Sequence, residues 1–317
     1  MKPVLRIGTR GSQLAFYQAE FVKNRIQKDF PLLSVEIVKI KTGGDMIRRG
    51  GTAPFATKRI YTKEIEDALL AGEVDFAVHS AKDLAALLPE GLEIGAALER
   101  EDPRDCLVSK DHKKISELPL GGRVGTSSLR RKMQLLRWNP ELTVEEVHGN
   151  VDSRVRKIQE GEYDAVALAY AGMKRLGLLN YVVEIFPEDR FYPAPGQGVI
   201  AVESRSGDAG AAEILKTLNH PPTAARLECE RAFLSRLEGG CQLPCGITTV
   251  LEEKTLKASG ALFAVEGREW VEAQFEGQCQ DAGAVGAGLA DLILKKGGRE
   301  ILEKIRDGTS KRKKPEQ

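Results

Sequence analysis

Residues 4–12 of the chain read Val-Leu-Arg-Ile-Gly-Thr-Arg-Gly-Ser, and this stretch sets a pattern that most of the sequence repeats. The apolar run Val4–Thr9 predicts a buried strand, and the apolar spacing of Gln13–Phe30 predicts a helix directly after it. Ser12 stands where it can cap that helix, so that Arg10 and the N–H groups of the first turn can bind one anion. Taken alone, Arg10 is more simply a surface arginine in a turn.

The alternation of predicted strands and helices continues to about residue 205, which predicts an α/β fold with mostly parallel sheets. The charged crossover 99–105 and the Pro/Gly-rich segment 193–198 divide this part into two units, and the second segment suits a hinge back to the first. Beyond residue 220 the pattern changes to β-hairpins and a helix, typical of a smaller α+β domain. We therefore predict domains at residues 1–98 with 199–217, at 104–193 and at 220–306, followed by a polar tail at 307–317.

The composition argues against several classes of protein. Among 317 residues, 47 lysines and arginines stand against 46 acidic residues, so the net charge of +1 gives no general attraction for nucleic acid or membranes. We find no apolar export signal or membrane span, and expect a cytoplasmic monomer without a nucleic-acid partner. The five cysteines are too scattered for a disulfide framework, and Cys241 and Cys245 lack zinc-site spacing, so we expect no metal.

Polar side chains follow the predicted core strands at their carboxyl ends, which is where open α/β sheets bind ligands. The strand Val74–Val78 runs into His79–Asp83, and the strand Arg123–Gly125 runs into the hydroxyl side chains Thr126–Ser128. The next predicted helix, Leu129–Trp138, opens with the arginines 130 and 131. Hydroxyl groups, helix N–H groups and two guanidinium groups at one helix start indicate a carboxylate or phosphate site. The alternatives are a solvated Lys–Asp pair and an exposed basic helix turn.

The stretch Leu237–Pro244, Leu-Glu-Gly-Gly-Cys-Gln-Leu-Pro, places one thiol just after the helix predicted over Thr223–Leu237. Two glycines after the last periodic residue form a strong helix stop and leave room around the next side chain. Cys241 is therefore either a covalent attachment point facing a cavity or a buried structural cysteine. A second segment, 43–61, is rich in glycine and cations without periodicity, and we predict that it is a mobile functional loop.

Taken together, these residues resemble the hydroxymethylbilane synthase family, also called the porphobilinogen deaminases, over nearly the whole chain. The matching segments are residues 10–15, 62–66, 79–83, 101–105, 125–131, 149–151, 196–198 and 237–242, and their shared order is more specific than any one of them. The resemblance implies three domains, the first two shaped like periplasmic binding proteins. It also implies an enzyme that joins four porphobilinogen molecules into linear hydroxymethylbilane and releases ammonia each time.

The resemblance further implies a dipyrromethane cofactor, built from porphobilinogen and held by a thioether to Cys241. Asp83, with Lys82 beside it, matches the catalytic aspartate, whose carboxylate can hold pyrrole N–H groups and stabilise the positive azafulvene formed when ammonia leaves. The other cofactor-binding positions implied are Ser12, Thr126, Ser127, Ser128, Arg130 and Arg131, with Lys82 and Asp83 again. The substrate-binding positions implied are Arg10, Lys58, Ser80, His148, Arg154, Arg175 and Gln197. Since every pyrrole carries an acetate and a propionate, a growing polyanion needs many cations in the cleft.

Four positions depart from the pattern of the resembled family. His148 stands where arginine is common, and Pro54 stands where lysine is common, ahead of 56–59 in place of a glycine-rich stretch. Tyr61 replaces phenylalanine, and Ala85 stands where the chain usually continues into proline. These departures affect the loop 43–61 and the carboxylate contact expected at His148. They also keep open a competing interpretation, a non-catalytic binding protein for a small polycarboxylate, although such a binder needs no cysteine domain.

Overall fold

The structure, a computed structural model, describes residues 4–43, 61–237, 243–265 and 269–311. Its strands are β1 (Val4–Arg10), β2 (Ser34–Ile40), β3 (Phe76–Ser80), β4 (Leu92–Ala97), β5 (Asp105–Ser109), β6 (Arg123–Gly125), β7 (Thr143–Glu145), β8 (Ala165–Ala169), β9 (Val182–Ile185), β10 (Ile200–Arg205), β11 (Cys245–Glu252), β12 (Thr255–Phe263) and β13 (Trp270–Gln278). Its helices are α1 (Gln13–Asp29), α2 (Lys63–Leu70), α3 (Leu129–Trp138), α4 (Val151–Gln159), α5 (Tyr170–Arg175), α6 (Ala209–Leu218), α7 (Pro221–Arg236), α8 (Ala282–Ile293) and α9 (Arg299–Lys311).

The first sheet has the strand order β2-β1-β3-β10-β4, with β1 parallel to β2 and β3. Strand β10 is antiparallel to both of its neighbours, β3 and β4. One face of the sheet packs on α1 and α6 through side chains such as Val22, Ile26 and Leu215. The other face packs on α2 through Ile65 and Leu69, so the sheet is a buried layer between helices.

The second sheet repeats this arrangement in the order β7-β6-β8-β5-β9. Strand β6 is parallel to β7 and β8, whereas β5 is antiparallel to β8 and β9. The predicted fold class is confirmed. As expected for mostly parallel sheets, four of the five strands in each sheet run in one direction, and a single strand, β10 in the first sheet and β5 in the second, is reversed. Strand β9 was not predicted at all; it is a short edge strand whose four residues are only half-buried, and its pattern is weak.

The two units share a local repeat at the base of their central strands. The Arg6 amide donates to the Asp75 carboxylate at 2.9 Å, and the Arg123 amide donates to the Asp164 carboxylate at 2.7 Å. In both cases the aspartate N–H returns a bond to the arginine carbonyl, at 2.8 Å and 3.0 Å. The same sequence, Gly-Glu-x-Asp, precedes β3 and β8. The turns after β1 and β3 in the first unit are therefore equivalent to the turns after β6 and β8 in the second unit.

The reversed strands bring two crossover segments to the ligand-binding edge of the sheets. Ser80, the last residue of β3, pairs with Ile200, the first of β10, and Ala169, the last of β8, pairs with Asp105, the first of β5. An antiparallel strand begins where its parallel neighbours end. Both crossovers between the units therefore meet the polar turns that follow the parallel strands.

The third sheet is the antiparallel meander β11-β12-β13, and α7 and α8 pack on it through an apolar cluster that includes Phe233, Ile247 and Leu289. Helix α9 extends to Lys311, into the residues predicted as the start of the polar tail at 307–317. Its amphipathic pattern buries Ile301 and Leu302 in the same cluster. The predicted domain boundaries stay predictions.

Candidate active site

The Lys82–Asp83 turn follows β3 directly and is held against the hinge that precedes β10. The strand runs two residues further than predicted, to Ser80, and a single 3-10 turn covers Ala81–Asp83. The Ala81 amide donates to the Val199 carbonyl at 3.0 Å. Gly196, at φ +75°, lies so close that a Cβ would stand 3.0 Å from the Lys82 amide nitrogen. Only glycine combines this positive φ with this close approach.

Gln197 connects the turn to the crossover that opens the second sheet. Its side chain is completely buried, and its Nε2 donates to the Pro103 carbonyl at 2.6 Å and to Asp105 Oδ1 at 3.0 Å. Its Oε1 accepts a bond from Lys82 Nζ at 3.2 Å. One buried amide therefore contacts both units of the molecule, and every polar atom of its side chain is used.

Asp105 is the central acceptor of the site, and sequence reasoning missed it. Its carboxylate is fully buried and meets Arg130 Nη1 at 2.6 Å and Arg131 Nη2 at 2.8 Å. Burial alone would raise the pKa of Asp105, but the two guanidinium groups outweigh it and hold that pKa well below its usual range. Arg130 and Arg131 are thus not an exposed basic turn: their partner in this structure is an internal carboxylate.

Lys82 is embedded in this cluster of charges. Burial, and next the positive charge of Arg131, lower the pKa of Lys82 to about 8, although Asp83 and Asp105 act in the opposite direction. The Asp83 carboxylate differs from its neighbours, because it is half-buried and makes no hydrogen bond or ion pair with any residue that the structure describes. The site therefore presents an acceptor without a partner next to a lysine of lowered pKa.

We predict that Asp105→Asn strongly destabilises the second unit. Removing one partner leaves two guanidinium groups buried near an uncharged amide, a change that typically costs about 3–5 kcal/mol. The free energy of unfolding, measured in urea at neutral pH, should fall by that amount. The pKa of Asp105 is lower in the folded state than in the unfolded state. The contribution of Asp105 to the free energy of unfolding is therefore fully present above the unfolded-state pKa, and it is lost in acid as the pH falls through the folded-state pKa.

The control for this prediction is Asp102→Asn, three positions away in the same crossover. Asp102 binds Arg104 at 2.6 Å in a partly exposed pair, and such pairs contribute at most about 1 kcal/mol. Equal losses for the two variants would show that the buried cluster has no special weight.

In the first unit, the structure places three predicted residues around the start of α1. The Arg10 guanidinium lies 4.4 Å from the centre of the Tyr61 ring, and Ser12 caps the helix by accepting a bond from the Ala15 amide at 3.3 Å. Ser80 hydrogen-bonds the buried Gln18 side chain at 2.9 Å. Gln18 was missed because one glutamine within an apolar helix pattern carries no signal; only the fold brings it to the end of β3.

In the second unit, the hydroxyl run behaves as a structural support. Ser128 caps α3 by accepting a bond from the Arg131 amide at 3.4 Å, and the Thr126 hydroxyl accepts one from the Ser128 amide at 3.3 Å. The Ser127 hydroxyl donates to the Val147 carbonyl. These contacts fix the turn that carries Arg130 and Arg131.

The remaining predicted cations have different surroundings. Arg175 is half-buried and donates from Nη2 to the Gly198 carbonyl at 2.6 Å, so it joins the hinge, and Arg154 donates from Nε to the Gly149 carbonyl at 3.1 Å. The His148 side chain is 79% exposed and its Nε2 lies 3.6 Å from Glu146, so the structure does not bring it to the Asp105 cluster. Lys58 and Cys241 lie outside the described residues.

Within the parts of the chain that the structure describes, no group of three metal-ligating side chains forms a site. Over the same ranges, none of the helices has both the length and the apolar content needed to cross a membrane.

Comparisons with known proteins show the family to which the chain belongs. The family model described as "Porphobilinogen deaminase, dipyromethane cofactor binding domain" matches residues 5–213, and "Porphobilinogen deaminase, C-terminal domain" matches residues 224–295. A porphobilinogen deaminase of Pelobacter propionicus is 45% identical over 301 residues, which are 95% of this chain and 97% of that protein. One of Thermus thermophilus is 44% identical over 304 residues, 96% and 99% of the two chains. The crystal structure of the methionine-binding protein MetQ is similar over 76% of this chain and 97% of its own, with 14% identity and a TM-score of 0.45.

The matched models define a class of transferases that act on a pyrrole substrate and use a dipyrromethane cofactor. The chain belongs to the porphobilinogen deaminase family, also known as the hydroxymethylbilane synthases. Its reaction is the condensation of porphobilinogen into hydroxymethylbilane in tetrapyrrole biosynthesis, and the competing interpretation of a non-catalytic binding protein is set aside.

Proposed function

We propose that Asp83 is the catalytic carboxylate of this condensation and that Lys82 assists it as a neighbouring cation. The observation that carries this proposal is the position of Asp83: it ends the turn after β3, half-buried, without a partner among the described residues. A carboxylate placed in this way is available to accept pyrrole N–H groups. It can also stabilise the positive charge that develops on the substrate when ammonia leaves.

The residues present fit a cofactor made of two pyrroles. Each pyrrole offers one N–H donor and two carboxylates, and the site offers one unpartnered carboxylate together with several cations. We infer that Arg130, Arg131 and Lys82 hold cofactor carboxylates, supported by Ser12 and the 126–128 hydroxyl turn, and that Cys241 is the attachment point. When bound, the dipyrromethane supplies the pyrrole carbon to which the first substrate is joined.

The buried Asp105 gives this proposal its electrostatic reason. With Asp105, the guanidinium groups of Arg130 and Arg131 are already oriented before any ligand arrives, so their remaining N–H groups need no rearrangement to bind a carboxylate. Burial and the positive charge of Arg131 lower the pKa of Lys82, but the carboxylates of Asp83 and Asp105 act against them, and the resulting pKa of about 8 leaves Lys82 largely protonated at neutral pH. Arg10, Arg154, Arg175, Ser80, Gln197, Lys58 and His148 are proposed to bind the acetates and propionates of substrate and growing chain.

We expect porphobilinogen to protect Lys82 from modification by a small amine-modifying reagent. The substrate would cover the turn, whereas the exposed Lys257, paired with Glu252 at 2.6 Å on the third sheet, would keep its reactivity and serves as the internal control. Labelling followed by peptide mass spectrometry at neutral pH measures both sites in one sample. Equal labelling of Lys82 with and without porphobilinogen would contradict its place in the substrate site.

We expect His148→Arg to lower the apparent KM for porphobilinogen more at alkaline than at mildly acidic pH. Arginine stays cationic as the pH rises, whereas a histidine can only lose positive charge, so the gain in charge on replacing histidine by arginine grows with pH. Apparent KM values of the parent and the variant across that range test this. Parallel profiles would show that His148, which is largely exposed, touches no substrate carboxylate.

We also propose that the protein works as a cytoplasmic monomer without a nucleic-acid partner, with the domain boundaries predicted above. The net charge of +1 supports this, as do the free thiols of the four described cysteines, Cys106, Cys229, Cys245 and Cys279. Light scattering of the purified protein gives the oligomeric state directly, and a dimer mass would overturn that part.

A further inference from the structure

A buried pair of ionisable side chains lies immediately behind the Lys82–Asp83 turn and has no role in the reaction as described so far. His79 Nε2 stands 2.9 Å from Glu203 Oε2, and the two side chains are 2% and 0% exposed. They meet without the alignment of a hydrogen bond, and within the described ranges neither Glu203 oxygen has a hydrogen-bond partner. The Glu203 carboxylate also faces Arg231 of α7, where it partly offsets the lowering of the arginine pKa by burial.

The strand register explains how these two residues meet. His79 on β3 pairs directly with Ala201 on β10, and Glu203 lies two residues further along β10. Because residues two apart on a strand point to the same face, the histidine and the glutamate are diagonal neighbours on one side of the sheet. The pair therefore joins the strand that leads into the turn to the strand that follows the hinge.

The fit between the turn and the hinge leaves little room for one strand to move against the other. Lys82 Nζ reaches Gln197 across 3.2 Å, and the Ala81 amide reaches the Val199 carbonyl across 3.0 Å. A Cβ added at Gly196 would stand 3.0 Å from the backbone of Ala81 and Lys82. A small shift of β3 along β10 would break these contacts and turn Asp83 away from its present direction.

We propose that His79 and Glu203 are positioning residues, which fix β3 against β10 and thereby hold the Lys82–Asp83 turn in its working geometry. This inference rests on the proposed function of that turn. Cohesion alone does not account for the pair, because burying two ionisable groups costs about as much as their attraction returns, and two apolar side chains would join the strands as well. What the pair adds is a preference for the register in which His79 Nε2 stands 2.9 Å from Glu203 Oε2.

The double variant His79→Gln/Glu203→Gln tests the proposal by removing both ionisable members of the pair at once, while Arg231, which also faces Glu203, keeps its hydrogen bond to the Ala86 carbonyl. Its matched control is Lys257→Gln/Glu252→Gln, which makes the same chemical change on an exposed pair of the third sheet. Two quantities are measured in the full-length enzyme. The first is turnover, given as KM and as kcat counted per molecule that carries the dipyrromethane. The second is the pH midpoint at which Lys82 reacts with an amine-modifying reagent.

In the double variant we expect kcat to fall about ten- to a hundredfold, because small misplacements of catalytic groups cause losses of this size. KM should stay near the parent value. The Lys82 midpoint should rise from about 8 toward the ordinary lysine value of 10.5, since a loosened turn admits water. Parental values of both quantities in a folded variant would overturn the inference, and so would a loss of kcat without a change in the Lys82 midpoint. A raised midpoint with parental kcat would support the positioning role and instead overturn the proposed role of the turn in turnover.

Discussion

Cys241→Ser is expected to yield a folded protein that carries no dipyrromethane and has no measurable activity. A serine hydroxyl at that position has far weaker nucleophilicity than a thiolate, so the thioether cannot form. Without the attached primer there is no pyrrole from which the chain can grow. Intact-protein mass spectrometry measures the adduct, and ammonia release from porphobilinogen measures the activity.

The other cysteines provide the control for this result. Burial raises the pKa of the Cys106 and Cys229 thiols to about 12 in each case, so both stay protonated at neutral pH and are poor nucleophiles. Cys279 is partly exposed, and Cys279→Ser is therefore the matched variant, expected to keep both adduct and activity. An adduct that survives in Cys241→Ser would assign the attachment to a different thiol.

The second large effect is expected for Asp83→Asn, which should lose at least about a hundredfold in kcat while still being able to assemble its cofactor. The amide has nearly the same shape, but it cannot offset a developing positive charge and offers only one acceptor atom. Steady-state release of ammonia, normalised to the molecules that carry the dipyrromethane, measures the loss.

Asp67→Asn is the matched control for Asp83→Asn. Asp67 lies on α2 in an exposed pair with Lys63, with side chains 52% and 60% exposed, so its neutralisation should leave kcat unchanged. A rate for Asp83→Asn within about threefold of the parent would rule out the hundredfold role expected for such a group. The catalytic role would then pass to another group of the same turn.

Much of the fold followed from sequence because local patterns decided it. Strand β6 and helix α3 have the predicted bounds, since a short apolar run, a hydroxyl cap and an amphipathic helix follow one another there without ambiguity. The reversed direction of β5 and β10 could not be predicted in this way. Direction within a sheet depends on how distant crossovers enter it, and no local pattern in the two strands records that.

The candidate site shows the same division between local and distant information. Lys82, Asp83, Arg130 and Arg131 were predicted because each stands next to a core strand or a helix start. Asp105 was overlooked because it opens a strand, whereas ligand-binding side chains were expected only where parallel strands end. Its importance comes from contacts with Arg130, Arg131 and Gln197, the last of them 92 residues away in sequence, and these contacts exist only in the folded chain.

If this chain condenses porphobilinogen on a covalently attached dipyrromethane, the mass of the protein must report both the cofactor and the substrate units joined to it. The most direct measurement is the intact mass of the purified protein before and after addition of a few equivalents of porphobilinogen. We expect a starting mass that exceeds the sequence mass by two linked pyrrole units. After addition, we expect stepwise increments of one pyrrole each, with one ammonia released per step. A starting mass equal to that of the bare chain, unchanged by porphobilinogen and without ammonia release, would contradict it.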